Sequence, residues 1–191
     1  MKTQTGKFRI ISGKCKGRIL RFPAVNDLRP TPERIRETLY NWLMPYVSGS
    51  QCLDLFAGSG ALGLEALSRD ARSATFVESN RNAARAISKN IQILQLEQAS
   101  VVNQDSINYL QYCGGQFDIV FLDPPFNSDL LQSSIDLINE HKLINKSGWV
   151  YTEYSAHSQP PDCPVYWKIH RQTKAGDVRA CLFHHADESS Q

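Results

Sequence analysis

The residues Asp54-Leu-Phe-Ala-Gly-Ser-Gly-Ala-Leu-Gly-Leu-Glu65 decide the fold. Cys52–Phe56 reads as a buried strand, and the residues from 61 to 69 follow a helical pattern. Between them, Gly58, Gly60 and Gly63 fall at the spacing G-x-G-x-x-G. That spacing is weak alone and gains meaning from a strand before it and a helix after it. Glycines there let backbone approach a ligand closely, and the helix start offers free N–H groups.

Working outward, the same alternation continues. Strand-like runs lie at Thr75–Glu78, Val101–Asn103, Phe117–Asp123 and Trp149–Tyr154, with helical patterns at about 80–94, 106–112 and 129–140 between them. Alternation of this kind builds a parallel sheet with helices on both faces. The tail departs from it. Tyr166–Gln172 and Val178–His184 are separated only by Thr173-Lys-Ala-Gly-Asp177, a link that suits an antiparallel hairpin. Before the glycine stretch, residues 8–21 read as two short strands around a turn holding Gly13 and Gly17. In the following LRPTPERIRETLYNWL, Thr31 is a good N-cap and Pro32 fits the first helical position. Ile35, Leu39, Trp42 and Leu43 fall on one helical face. Pro45 and Ser48-Gly-Ser50 close this segment. The expected organisation is therefore a basic N-terminal extension over 1–48 and a ligand-binding domain over 49–191.

Charge supports that division. Residues 1–36 hold ten of the 21 Lys and Arg and two of the 19 Asp and Glu, a net of +8, which leaves −6 for residues 37–191. A basic arm on an acidic body points to nucleic acid. The basic side chains are interleaved with strand-forming apolar ones, unlike a solubilising tail. Five scattered cysteines without a C-x-x-C pair exclude a disulfide framework and point to a reduced, cytoplasmic setting. No metal is expected, since Cys181, His184 and His185 have no fourth ligand spaced to join them. No apolar run approaches the roughly 20 residues that span a bilayer, and the start MKTQTGKFRI has no apolar signal core.

Three acids mark successive strand ends: Asp54, Glu78 and Asp105. Glu78, 20 residues after Gly58, can accept from both hydroxyls of a ribose. Asp105 can accept from an adenine amino group. A nicotinamide dinucleotide and S-adenosylmethionine both fit this pattern. Asp54 favours the second, being awkward beside a pyrophosphate and welcome beside a sulfonium or ammonium.

The stretch Asp123-Pro-Pro-Phe126 ends the fourth strand of the body. Neither proline can continue a sheet ladder, and both stiffen the loop. Ligands of open α/β sheets bind at the carboxyl ends of strands near the order reversal, so Asp123 faces the ligand. An exocyclic amine on a base is a poor nucleophile, because its lone pair is delocalised. Two acceptors on its N–H bonds free that pair: the Asp123 carboxylate and the Pro124 carbonyl, held by Pro125. Phe126 offers a face for the base to stack on, worth roughly 1–3 kcal/mol. The base must be unpaired or extruded to reach it.

DLFAGSGALGLEAL with the downstream DPPF resembles the class I S-adenosylmethionine methyltransferases that act on planar nitrogen. RIISGKCKGR and LRPTPERIRETLYNWL resemble more specifically the bacterial family that methylates guanine N2 in 16S ribosomal RNA, over about Arg9 to Phe183. The resemblance implies a Rossmann-like seven-stranded sheet with the C-terminal hairpin at one edge. It implies cofactor contacts from Asp54, Phe56, Ala57, Gly58, Ser59, Gly60, Glu78, Ser79, Asp105, Ser106 and Asp123. It implies a catalytic loop of Asp123, Pro124, Pro125 and Phe126, with S-adenosyl-L-homocysteine as product. The basic residues Arg9, Lys14, Lys16, Arg18, Arg29, Arg34 and Arg36 are the expected phosphate contacts. Cys15 stands where the family is expected to carry a bulkier residue in the turn. The implied substrate is 16S rRNA in the small subunit or its assembly intermediate, and the expected state is a monomer. Adenine-N6 or glutamine-N5 methylation shares the same loop logic, and a non-catalytic RNA-binding assembly factor is the alternative from another class.

Overall fold

The computed structural model describes residues 5–23, 31–126 and 128–186. Strands β1 (Thr5–Arg9) and β2 (Ile19–Pro23) form a hairpin, followed by helix α1 (Glu33–Leu43). The body runs β3 (Gln51–Asp54), α2 (Ala61–Ser68), β4 (Ser73–Val77), α3 (Arg81–Leu94), β5 (Ala99–Val102), α4 (Ser106–Tyr112), β6 (Phe117–Leu122), α5 (Leu130–Glu140), β7 (Ile144–Ser155), β8 (Trp167–Ala175) and β9 (Val178–His185). Seven strands form one sheet in the order β5-β4-β3-β6-β7-β9-β8. The first five are parallel, and β9 joins β7 antiparallel with β8 outermost. The order reverses between β3 and β6, so a crevice opens there at the carboxyl ends of the strands.

Each face of the sheet carries its own apolar core. On one side the hairpin (Phe8, Leu20, Phe22), α1 (Leu39, Tyr40, Leu43), α2 and α3 cover Phe76, Phe121 and Tyr151. On the other, α4 and α5 cover Leu53, Val120, Leu122 and Phe183. The N-terminal extension thus shares one continuous core with the sheet.

Two local readings of the sequence are corrected. Strand β7 begins five residues before Trp149, because the turn-like Asn145-Lys-Ser-Gly148 is a bulge within it rather than its boundary. Asn145 pins this bulge by donating to Asp118 at 2.6 Å. Thr31 does not cap α1, and Pro32 holds the N-cap position with no side-chain cap bond. The Thr31 hydroxyl instead donates to Asp123 Oδ2 at 3.0 Å.

Glu65 on α2 ties the extension down. It is fully buried. Its two oxygens accept from the backbone N–H groups of Ile11 (2.8 Å) and Ser12 (3.0 Å), and Oε1 also accepts from Arg69 at 2.8 Å. The Arg36 guanidinium lies 3.8 Å away and donates to the Arg9 carbonyl at 3.0 Å. Glu65→Ala leaves these buried donors and the Arg36 charge uncompensated, a cost of about 3–5 kcal/mol. The expected outcome is a lower denaturation midpoint in urea, with the earliest proteolytic cuts falling in residues 1–48.

Candidate active site

The glycine loop is built as its spacing requires. Gly58 and Gly60 have φ of 54° and 78°, which L side chains rarely adopt. Gly60 occupies the N-cap position of α2. Around this turn, Asp54 is buried and its Oδ2 accepts from the Gly63 N–H at 2.9 Å. Glu78, just beyond β4, accepts from the N–H groups of Gly58 and Asn80, both at 2.7 Å. Asn103 donates to the carbonyls of Glu78 (2.7 Å) and Ser79 (3.0 Å), fixing the loop that presents them. Asp105 caps α4 by accepting from the Asn108 N–H at 3.1 Å. Ala57, Ser59 and Ser106 are buried, Phe56 is half-buried, and Ser79 and Asp105 are exposed.

Asp123 follows β6 directly across the switch point. It is half-buried between buried Leu122 and Pro124, while Pro125 and Phe126 are exposed. Ser128 braces the loop by donating to the Pro125 carbonyl at 2.6 Å. Beside it lies a cavity of about 350 Å³ lined by Pro124, Phe126, Leu131, Gln132, Glu153 and Tyr154. Ligand sites begin at roughly 300 Å³.

The electrostatics call for a cation. Burial pushes the Asp54 carboxyl up to about 7; the Gly63 N–H opposes this, and the charges of Asp123 and Glu78 add to it. Burial raises Asp123 to about 6 against the Thr31 hydroxyl, and raises Glu78 against its two backbone N–H bonds. Carboxylates held together with little solvent are stabilised by an opposite charge between them. A group joining a ribose, an adenine and a sulfonium or ammonium suits this donor set.

The basic residues do not form one cluster. Lys14, Lys16 and Arg18 are exposed. The Lys14 N–H donates to the Ser68 carbonyl at 2.7 Å, so the turn sits at the far end of α2. Eight helical residues at 1.5 Å each put that end about 12 Å from the glycine loop. Arg18 also reaches the Ile93 carbonyl, at 3.4 Å. Arg9 is exposed, and Arg34 is exposed in the first turn of α1, three residues after Thr31. Arg36 is corrected: it is 1% exposed, over the Phe8 ring and against Glu65, and is structural rather than a phosphate contact. Arg29 lies outside the described residues. Cys181, His184 and His185 do not converge, since Cys181 meets Tyr154, His184 packs tilted against Trp149 and His185 meets Tyr166 edge-on.

Reading by sequence missed Thr31, Asn103, Tyr151 and Glu153. Glu153 had a signal, an acid inside the apolar run Trp149–Tyr154. It is 2% exposed and accepts from the Tyr151 hydroxyl at 2.7 Å.

The sheet order, the glycine turn and the acids at the strand ends define a class I S-adenosylmethionine-dependent methyltransferase. The family model described as Conserved hypothetical protein 95 matches residues 8–184, and the chain belongs to that family. It is 42% identical over 179 residues to an Escherichia coli protein named Ribosomal RNA small subunit methyltransferase D, covering 94% of this chain and 90% of that one. A Haemophilus influenzae protein of the same name is 43% identical over 184 residues, covering 93% and 94%. The solved structure of yhhF from Escherichia coli superposes with a TM-score of 0.87 at 42% identity, covering 96% of this chain and 100% of that one.

The raised Asp54 fixes the sign of a pH effect. A cationic ligand favours the ionised carboxylate, so below pH 7 its binding releases protons, and affinity rises with pH until Asp54 is ionised. Calorimetry at pH 6 in buffers of different ionisation enthalpy is expected to show proton release on binding S-adenosylmethionine. At pH 8 the release is expected to be close to zero.

Proposed function

We propose that the protein is a cytoplasmic, monomeric enzyme that methylates the N2 amine of a guanine in 16S rRNA, within the small subunit or an assembly intermediate. The observation that supports the chemistry is the Asp123 carboxylate on a stiff proline loop, close enough to Asp54 across the switch point for its charge to act there. The substrate class is supported by the names of relatives aligned over more than nine-tenths of the chain.

S-adenosylmethionine supplies a methyl group on a sulfonium. Asp54, Glu78 and Asp105 hold the cofactor, with the backbone of residues 56–60 close against it. Asp123 and the Pro124 carbonyl accept the two N–H bonds of the guanine amine and turn its lone pair toward the methyl group. Phe126, 41% exposed, gives the extruded base a stacking face. As the nitrogen gains its methyl group it loses a proton, and the Asp123 carboxylate is placed to take it. Asp123→Ala is expected to lower turnover by about 100-fold or more while cofactor affinity stays within about tenfold. Single-turnover transfer of labelled methyl, with calorimetry on the same variant, checks this. Near-normal turnover ends the assignment of the loop.

RNA is held by charge. Arg34 stands in the first turn of α1, and Arg9, Lys14, Lys16 and Arg18 extend the basic surface along the hairpin toward the far end of α2. Phosphate contacts are independent of sequence and sensitive to salt. Neutralising Lys14, Lys16 and Arg18 together is expected to lower the slope of log affinity against log salt by about 0.7–0.9 per lost contact. Cofactor affinity is expected to stay as in the wild type. RNA-binding lines that coincide for the two proteins across a salt series remove the hairpin turn from the docking surface.

A further inference from the structure

Glu153 is the most deeply buried acid at the crevice that the scheme above leaves without a role. It lies near the carboxyl end of β7, and its Oε1 accepts from the Tyr151 hydroxyl at 2.7 Å. Thr31, 7% exposed, reaches in from the segment leading α1. Its hydroxyl donates to Asp123 Oδ2 at 3.0 Å. Asp123 and Glu153 each lie one residue beyond the Leu122–Thr152 pair that joins β6 to β7, so the threonine hydroxyl sits where two acids from neighbouring strands meet.

A hydroxyl has a single proton. Thr31 directs it to Asp123, so any bond between Thr31 and Glu153 must take its proton from Glu153. Two carboxylates bridged in a dry site are also costly to ionise together. The groups facing Glu153 agree with one shared proton. Asp123 lies beyond β6 and itself faces Asp54. Tyr151 stands on the same strand with its hydroxyl pushed up by burial, and the β9 residue paired with Glu153 is the uncharged Ala180. Burial and then the Asp123 charge raise Glu153 to about 8, and burial raises Asp123 less far, to about 6. The two titrate as a pair, and near neutral pH the proton resides on Glu153.

We propose that Glu153 and Thr31 are positioning residues for methyl transfer: the neutral Glu153 acid donates to Thr31, Thr31 donates to Asp123, and this chain holds the Asp123 carboxylate ionised and aimed at the target amine. It rests on the reading of Asp123 as the acceptor for that amine. Tyr151 completes the chain by fixing the other Glu153 oxygen. Because Thr31 leads into α1, the same hydroxyl links the basic extension to the reacting group.

The signs follow. Below about pH 6 Asp123 takes a proton and turnover falls. Above about pH 8 Glu153 ionises, the chain loses its donor, a second negative charge faces Asp123, and turnover falls again. Glutamine copies the neutral acid at every pH, its oxygen accepting from Tyr151 and its N–H donating to Thr31.

The test is methyl transfer from pH 5 to 10 for wild type, Glu153→Gln, Glu153→Ala, Thr31→Val and Asp123→Asn, with cofactor affinity and melting temperature for each. Glu153→Ala and Thr31→Val are expected to lower turnover at pH 7 by about tenfold or more, with cofactor affinity unchanged. Glu153→Gln is expected to rescue most of what Glu153→Ala loses and to remove the fall above pH 8. A fall above pH 8 that persists in Glu153→Gln overturns the proposal. So does a Glu153→Gln turnover as low as that of Glu153→Ala, or a Thr31→Val enzyme as fast as the wild type. If Glu153→Ala does not fold, the wild-type and Glu153→Gln profiles decide alone. Asp123→Asn at near-normal turnover overturns the catalytic loop itself, whatever Glu153 does.

Discussion

The structure depends on one buried carboxylate. Glu65 projects from α2 into the core, fully buried, and it is met there by two backbone N–H groups and two guanidinium groups. Those partners come from the strand-to-turn segment after β1, from α1 and from Arg69 at the C-cap of α2. A two-stranded hairpin is marginal alone. Here it gains a fixed seat against α2 and α3, and its Phe8, Leu20 and Phe22 complete a core that the sheet begins. The placement of Thr31 follows from this, since Arg36 anchors the helix that Thr31 precedes.

A second constraint runs across the crevice. Asp54, Glu78 and Asp123 come from three strands whose carboxyl ends meet at the switch point, and each is raised by burial. An opposite charge placed among them relieves the cost of holding them ionised with little solvent.

The sheet and most of the cofactor cleft were legible because they rest on local signals. Helices over 61–68, 81–94 and 130–140 show in apolar periodicity, and the glycine turn shows in three residues. What was hidden depends on partners far along the chain. Thr31 before a proline has the local look of a cap, yet its partner is Asp123, 92 residues away. Arg36 has the look of a surface charge in a basic run, yet it folds inward because Glu65 waits there. The start of β7 was obscured by Asn145-Lys-Ser-Gly148, whose turn chemistry serves a bulge. Lys14 and Lys16 belong to a basic segment by sequence, but only the Lys14–Ser68 bond shows that their turn lies at the far end of α2 from the glycine loop.

The separations in these contacts also order the birth of the enzyme. As the chain leaves the ribosome, the hairpin emerges first with one apolar face uncovered. Its seat on Glu65 comes 54 residues after Ile11. The central strand β3 must then wait for β6, as the Gln51–Asp118 bond spans 67 residues. Contacts of such range carry a loop-closure cost and slow folding. A nascent chain stopped after residue 70 already contains Glu65 and its four partners but not α3, whereas no chain shorter than 123 residues can close the bond from Thr31 to Asp123. The Glu65 anchor thus becomes possible well before the crevice can be completed.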